Sequence, residues 1–169
     1  MKLPPYAELH CISNYSFLRG ASFPEELVER AAALRYHALA ITDECSLAGV
    51  VRAHIAAKEH QLPLIIGSEF TLDDQTRLIL LATDRESYGR LSHLITIARR
   101  NAEKGGYCLT RRLLEQHHPH GCLALWLPDV NNRTPEPTLN GEPLHWLAHC
   151  FPQQRSRCGW AAALSAARR

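Results

Sequence analysis

The sequence predicts an α/β fold with mostly parallel strands, laid out as part of a (β/α) barrel. Strand and helix alternate through the first 105 residues, the pattern of a mainly parallel sheet. The run Ala38-Leu39-Ala40-Ile41 is apolar throughout, as in a strand buried on both faces. Three successive strands finish on metal-competent side chains: His10, Asp43 and Glu69. In a parallel barrel such strand ends converge on one face, where sites are built. About five strands are readable, too few to close a complete barrel, so the chain reads as its front part.

Each element has a local cause. Residues 6–12 form a strand that runs into the His10 loop. Ser22-Phe23-Pro24-Glu25 starts a helix, with Ser22 able to cap, Glu25 three residues on and Pro24 in the first turn. That helix reaches about Leu34, with Leu27, Val28, Ala31 and Leu34 on one face. A second helix is expected from about Ser46 to His60, and a third strand from Leu64 to Phe70. Asp73-Asp74-Gln75 is a turn signal before a fourth strand, Arg77 to Ala82. A long helix is expected over Ser87 to Ala102, stopped by Gly105-Gly106. Thr110 caps a short helix through Gln116, and Gly121 to Leu127 gives a fifth strand. Residues 1–127 are thus one domain. Residues 128–169 are expected to be an exposed loop, a helix over 144–151 and a weakly structured tail. The Arg- and Ala-rich end of that tail reads as a frameshifted or truncated terminus.

Composition narrows the function classes. A hydrophobic content of 46% in 169 residues is that of a globular chain with a real core. A formal net charge of +2 gives no whole-chain argument for nucleic acid. From Asp84 to Arg112, however, seven basic residues face three acidic ones, a local net of +4. A solvated helix face explains this; a patch contacting a nucleic-acid backbone, with Arg99, Arg100 and Lys104, is the sharper reading. None of the six cysteines forms a Cys-x-x-Cys pair, which excludes a zinc ribbon or a thioredoxin motif. With no signal peptide and no apolar run long enough to span a bilayer, the expectation is free thiols in a reducing cytoplasm. A Gly-x-Ser-x-Gly elbow and a phosphate-binding glycine loop are both missing. His117-His118-Pro119-His120 is expected to be a solvated turn.

The strand ends carry the chemistry. A carboxylate closing a buried strand must be paired, metal-bound or turned to solvent, because burying it bare is costly. His10, Asp43 and Glu69, with Glu44 as a fourth donor, form an oxygen–nitrogen set suited to Zn, Mn or Fe. The alternative is that these groups hydrogen-bond the loops at the barrel mouth.

His10-x-x-Ser13-x-Tyr15-Ser16, Ala40-Ile41-Thr42-Asp43 and Ile66-Gly67-Ser68-Glu69 together resemble the polymerase-and-histidinol-phosphatase (PHP) domain. The resemblance continues through Leu81-Ala82-Thr83-Asp84 and Tyr88-Gly89-Arg90-Leu91-Ser92-His93 and covers roughly residues 5–127. It implies a metal-dependent phosphoesterase fold, a distorted (β/α) barrel that opens the α subunit of bacterial C-family DNA polymerases. Ser16-Phe17-Leu18-Arg19-Gly20-Ala21-Ser22 and Asp43-Glu44-Cys45-Ser46-Leu47-Ala48-Gly49 are similar to the error-prone, DnaE-like translesion branch. The resemblance therefore implies part of a DNA-directed DNA polymerase, a nucleotidyltransferase whose palm lies outside these residues. DNA, accessory mutagenesis proteins and a sliding clamp would be its partners, and a divalent metal (Zn or Mn) its cofactor, at a degenerate site. Three ligand positions match, at His10, Asp43 and Glu69. Ile12, Glu44 and Arg77 stand where an active member has histidine. Isoleucine has no donor atom, and arginine stays protonated. The resemblance with these losses implies structural support of a polymerase. A standalone metal-dependent phosphoesterase and an inactive binding or scaffold remnant are the alternatives.

Overall fold

The computed structural model describes residues 5–128 and 142–152. Its elements are β1 (Ala7–Glu8), α1 (Pro24–Ala33), β2 (Ala38–Ile41), α2 (Val50–Glu59), β3 (Leu64–Thr71), β4 (Arg77–Leu81), α3 (Arg85–Arg100), α4 (Arg111–Gln116), β5 (Leu123–Leu127) and α5 (Glu142–Cys150). The strands form one five-stranded sheet in the order β1-β2-β3-β4-β5, curled into a half-barrel. The α/β partial barrel expected from the sequence is therefore present.

Strand direction departs from the expectation in one half of that sheet. β1–β2 and β2–β3 are parallel, whereas β3–β4 and β4–β5 are antiparallel. Parallel neighbours need a crossover of a dozen or more residues, which α1 and α2 provide. The link between β3 and β4 is a tight turn, in which the Asp74 side chain accepts from Thr76 N–H at 2.9 Å and Gln75 is left-handed (φ 67°). The Asp-Asp-Gln turn signal thus makes a hairpin and reverses the chain.

Alternation along the strands sorts the core. Leu9, Ala40, Ile65, Ile79, Leu81, Leu125 and Leu127 pack together inside the half-barrel. Leu39 and Ile41 point the other way, into a cluster with Val28, Ala31, Ala53 and Ala57 of α1 and α2. Phe70, Leu78 and Leu80 face α3, where Leu91, Leu94 and Ala98 meet them. Leu147 and Phe151, at the α5 end of the chain, enter this same cluster.

Helix boundaries shift for identifiable reasons. α1 starts one residue later than expected: Phe23 holds the capping position, and its N–H donates to Glu26 at 2.8 Å. Glu25 instead pairs with Arg52. α2 starts at Val50 because Cys45 is left-handed (φ 45°) and Leu47 to Val50 is a turn. α3 starts at Arg85 because Asp84 accepts from Ser87 N–H at 2.7 Å. It ends at Arg100, with Asn101 as its C-cap, ahead of the two glycines. Thr110 caps α4 as expected, accepting from Leu113 N–H at 3.0 Å.

The expected solvated histidine turn is corrected in part. His120 is exposed, but the His118 ring is half-buried, 4.4 Å from the His120 ring and 4.6 Å from Phe151. Burial first, then His120, lowers its pKa. The loop expected after residue 128 and the tail expected after Gln153 lie outside the described residues.

Candidate functional site

Strand parity decides which of the expected donors meet. Glu69 shares its face of β3 with Ile65 and Gly67, so it points into the half-barrel at its mouth. Glu44 extends β2 through a parallel bridge to Glu69 and keeps the inward parity of Ala40. Asp43, between them in parity, points away.

Glu69 is the centre of the cluster. Its side chain is fully buried, and three groups hold it. His10 Nε2 lies 2.7 Å from Oε2; because an ionised carboxylate only accepts, the imidazole is the donor. Arg19 Nη2 donates to Oε1 at 2.9 Å, and Arg77 Nη2 donates to the same oxygen at 2.8 Å. Arg77 comes from β4, where the Thr71–Arg77 pairing puts it diagonal to Glu69 on the inner face. Burial alone would raise the Glu69 pKa; the His10 hydrogen bond and the two guanidiniums outweigh it and hold the group at about 2.

Glu44 is joined to this centre through Arg19, whose Nη1 donates to Glu44 Oε2 at 2.9 Å. Tyr107 donates its phenol to Glu44 Oε1 at 2.9 Å and accepts from Thr71 N–H at 2.8 Å. Burial and Glu44 raise the phenol to about 12, so it remains a donor at neutral pH. Neither Arg19 nor Tyr107 stands out in the sequence as part of this cluster. Arg19 is foreshadowed by its place in the loop after His10; Tyr107, distant in the chain, carries no local signal.

Asp43 does different work. Its buried carboxylate accepts from Ser13 N–H, Ser13 Oγ and Ser16 Oγ, each at 2.7 Å. It thereby fixes the 13–20 loop and, through it, Arg19. Gly20 completes the loop because an added Cβ would sit 2.0 Å from the Ser13 carbonyl oxygen.

The remaining expected groups are placed as follows. Arg99 donates to the carbonyls of Cys45 (3.1 Å) and Gly106 (3.2 Å), with its guanidinium 5.5 Å from the Tyr107 ring centre. It braces the Glu44–Cys45 turn. Arg100 and Lys104 are exposed. Burial raises the Cys11 and Cys45 thiols to about 11, leaving both protonated near neutral pH.

This donor set does not fit a divalent cation. Both oxygens of Glu69 already accept hydrogen bonds, two guanidiniums stand on one of them, and Asp43 faces a different loop. Among the described residues no group of three His, Cys, Asp or Glu side chains is arranged to hold a metal ion. The positive charge that a carboxylate-lined barrel mouth needs is supplied by Arg19 and Arg77.

Comparison with known proteins agrees with this fold. The PHP domain model matches residues 8–164. An error-prone DNA polymerase from Dechloromonas aromatica is 58% identical over 156 residues, covering 90% of this chain and 14% of its own length. The error-prone DNA polymerase of Pseudomonas aeruginosa is 52% identical over 154 residues, again 14% of its length. The chain thus spans about one seventh of such relatives. Among solved structures, a protein from Bifidobacterium adolescentis described as a metal-dependent phosphoesterase superposes with a TM-score of 0.63 at 16% identity. The match covers 90% of this chain and 81% of that one, which shows a shared fold. By its matching model and its half-barrel, the chain belongs to the PHP domain family.

Proposed function

We propose that this chain is the PHP portion of an error-prone DNA polymerase, acting in replication past lesions and in DNA repair, and that its role there is structural. The observation that carries the reading is Glu69, buried and neutralised by two arginines where a bound cation would need a free donor. A carboxylate held this way ties β3, β4 and the 13–20 loop together without a cation. Contact with DNA, through the parent polymerase, would be made largely outside these residues, with Arg100 and Lys104 free to add backbone contacts. Accessory mutagenesis proteins, a sliding clamp and a cytoplasmic location belong to the same proposal. Among the described residues no helix is long and apolar enough to cross a membrane.

The test is made in the polymerase product of the gene. Glu69→Gln is expected to lower the melting temperature while leaving primer extension at a permissive temperature within about twofold of wild type. A loss of extension with unchanged melting temperature would assign Glu69 to chemistry instead. A standalone phosphoesterase would require manganese- or zinc-dependent hydrolysis of a simple phosphate ester by the purified chain, abolished by Glu69→Gln.

A further inference from the structure

A second cluster of titratable side chains lies away from the barrel mouth, around the 117–120 turn. His118 is at its centre. Both of its ring nitrogens are shielded from solvent, and neither has a well-formed hydrogen-bond partner among the described residues. The ring lies 4.6 Å from the Phe151 ring and 4.4 Å from the His120 ring. Phe151 and Leu147 are the buried side chains by which the α5 end of the chain enters the core. The imidazole is thus part of the seat on which α5 rests. A neutral ring suits that seat; an imidazolium would be a charge shielded from water without an acceptor, which is costly.

The groups that face His118 do not supply that acceptor. On α3, Glu86 is paired with Arg90 at 2.9 Å, and Arg90 also donates to the His120 carbonyl. His93 of α3 lies against His117, with their rings 5.6 Å apart. Glu115, at the end of α4, is turned to α5: it accepts from Trp146 Nε1 at 2.7 Å and faces the Cys150 thiol. Burial, then Glu115, raises that thiol to about 11, so it is neutral. His149 of α5 lines the same groove and is exposed. Burial and then His120 hold the His118 pKa below its ordinary value, and the Cys150 backbone, which favours the proton, is outweighed.

We infer that His118 is an acid-sensitive catch for α5: the helix is seated while the imidazole is neutral, and when the ring takes up a proton it turns out to water and α5 is released. The sign is fixed. Once released, the ring returns to its ordinary value of 6.5. Seating is therefore complete above about 6.5 and weakens as pH falls below it, while the sheet itself stays folded.

Amide exchange tests this in the 169-residue chain, corrected for intrinsic rates, at about pH 7.5 and about pH 5.5; the lower value is still above the range in which Glu69 protonates. On acidification the amides of residues 144–150 should lose protection at least about threefold relative to those of β2, whose Leu39 and Ile41 pack in the separate cluster with α1 and α2. In His118→Leu the ratio should be the same at both pH values, and the exposed control His149→Gln should keep the wild-type response. Where His118→Leu disturbs the turn, His118→Gln, polar but unable to take up a proton, should show the same flat response. A wild-type ratio that does not change with pH overturns the inference. A pH response that survives in both His118 variants overturns it as well, since the titrating group then lies elsewhere.

Discussion

At the scale of single residues, two neighbouring carboxylates behave differently because strand parity separates them. Glu69 points inward and takes two guanidiniums and an imidazole; Asp43 points outward and takes two serines. Replacing Glu69 with Gln leaves Arg19 and Arg77 facing each other beside a neutral amide. Breaking a buried ion pair from one side typically costs about 3–5 kcal/mol, and chemical denaturation should show a loss of that order. Asp43→Asn turns one of the two accepting oxygens into an NH2 donor, so at least one of the three hydrogen bonds from Ser13 and Ser16 is lost, at a cost of about 1–3 kcal/mol. It should also speed amide exchange in the 13–20 loop. The pH dependence has a fixed sign. Glu69 has a folded-state pKa near 2, below its ordinary value of 4.5, so its contribution is complete above about 4.5 and fades as pH falls toward 2. Denaturant midpoints should therefore stay flat from neutral pH down to about 5 and drop below it, and Glu69→Gln should flatten the acid limb. The donors at His10, Glu44 and Glu69 were legible as strand-end chemistry, whereas the direction of Asp43 was not. Reading alternate positions from Ala40 would have turned Asp43 away from Glu44.

At the scale of elements, several boundaries were legible in local chemistry: the Thr110 cap and the apolar runs of β2 and β3, whereas the Asp84 cap that starts α3 two residues early was not. The misreadings have separate causes. The turn residues Asp73 to Gln75 lie in a link too short for a parallel crossover, so the reversal between β3 and β4 is legible from link length although the strand–helix alternation elsewhere points to parallel neighbours. The start of α2 was displaced by a left-handed cysteine, a conformation that cysteine does not announce. The β3–β4 hairpin also depends on close approach at Gly67, where an added Cβ would lie 2.6 Å from Leu81 Cδ2 and 2.7 Å from the Leu80 carbonyl oxygen. Gly67→Ala should push β4 away and weaken the Arg77–Glu69 contact. A destabilisation of about 2–3 kcal/mol is expected, checked by thermal melting. Thr110→Ala should cost about 1 kcal/mol through the lost α4 cap, with little effect on the barrel mouth.

At the scale of the whole molecule, the half-barrel keeps the PHP architecture while Arg19 and Arg77 occupy its mouth. The resemblance to the PHP family made this partly visible, since it implies ligands at the positions of Ile12 and Arg77. It did not show that Arg77 would reach Glu69 across the hairpin, nor that Arg19 would arrive from a loop fifty residues away in sequence. Those contacts depend on register and loop closure, which only the folded chain fixes. The structural role proposed above predicts a domain whose stability is independent of divalent cations. The measurement that tests this most directly is the melting temperature of the wild-type chain in chelator and in excess manganese or zinc, with metal content determined in parallel. Equal melting temperatures with no stoichiometric metal are expected, alongside a drop of about 10 °C in Glu69→Gln under both conditions. A wild-type chain that takes up one or more equivalents of metal and melts several degrees higher would contradict the account.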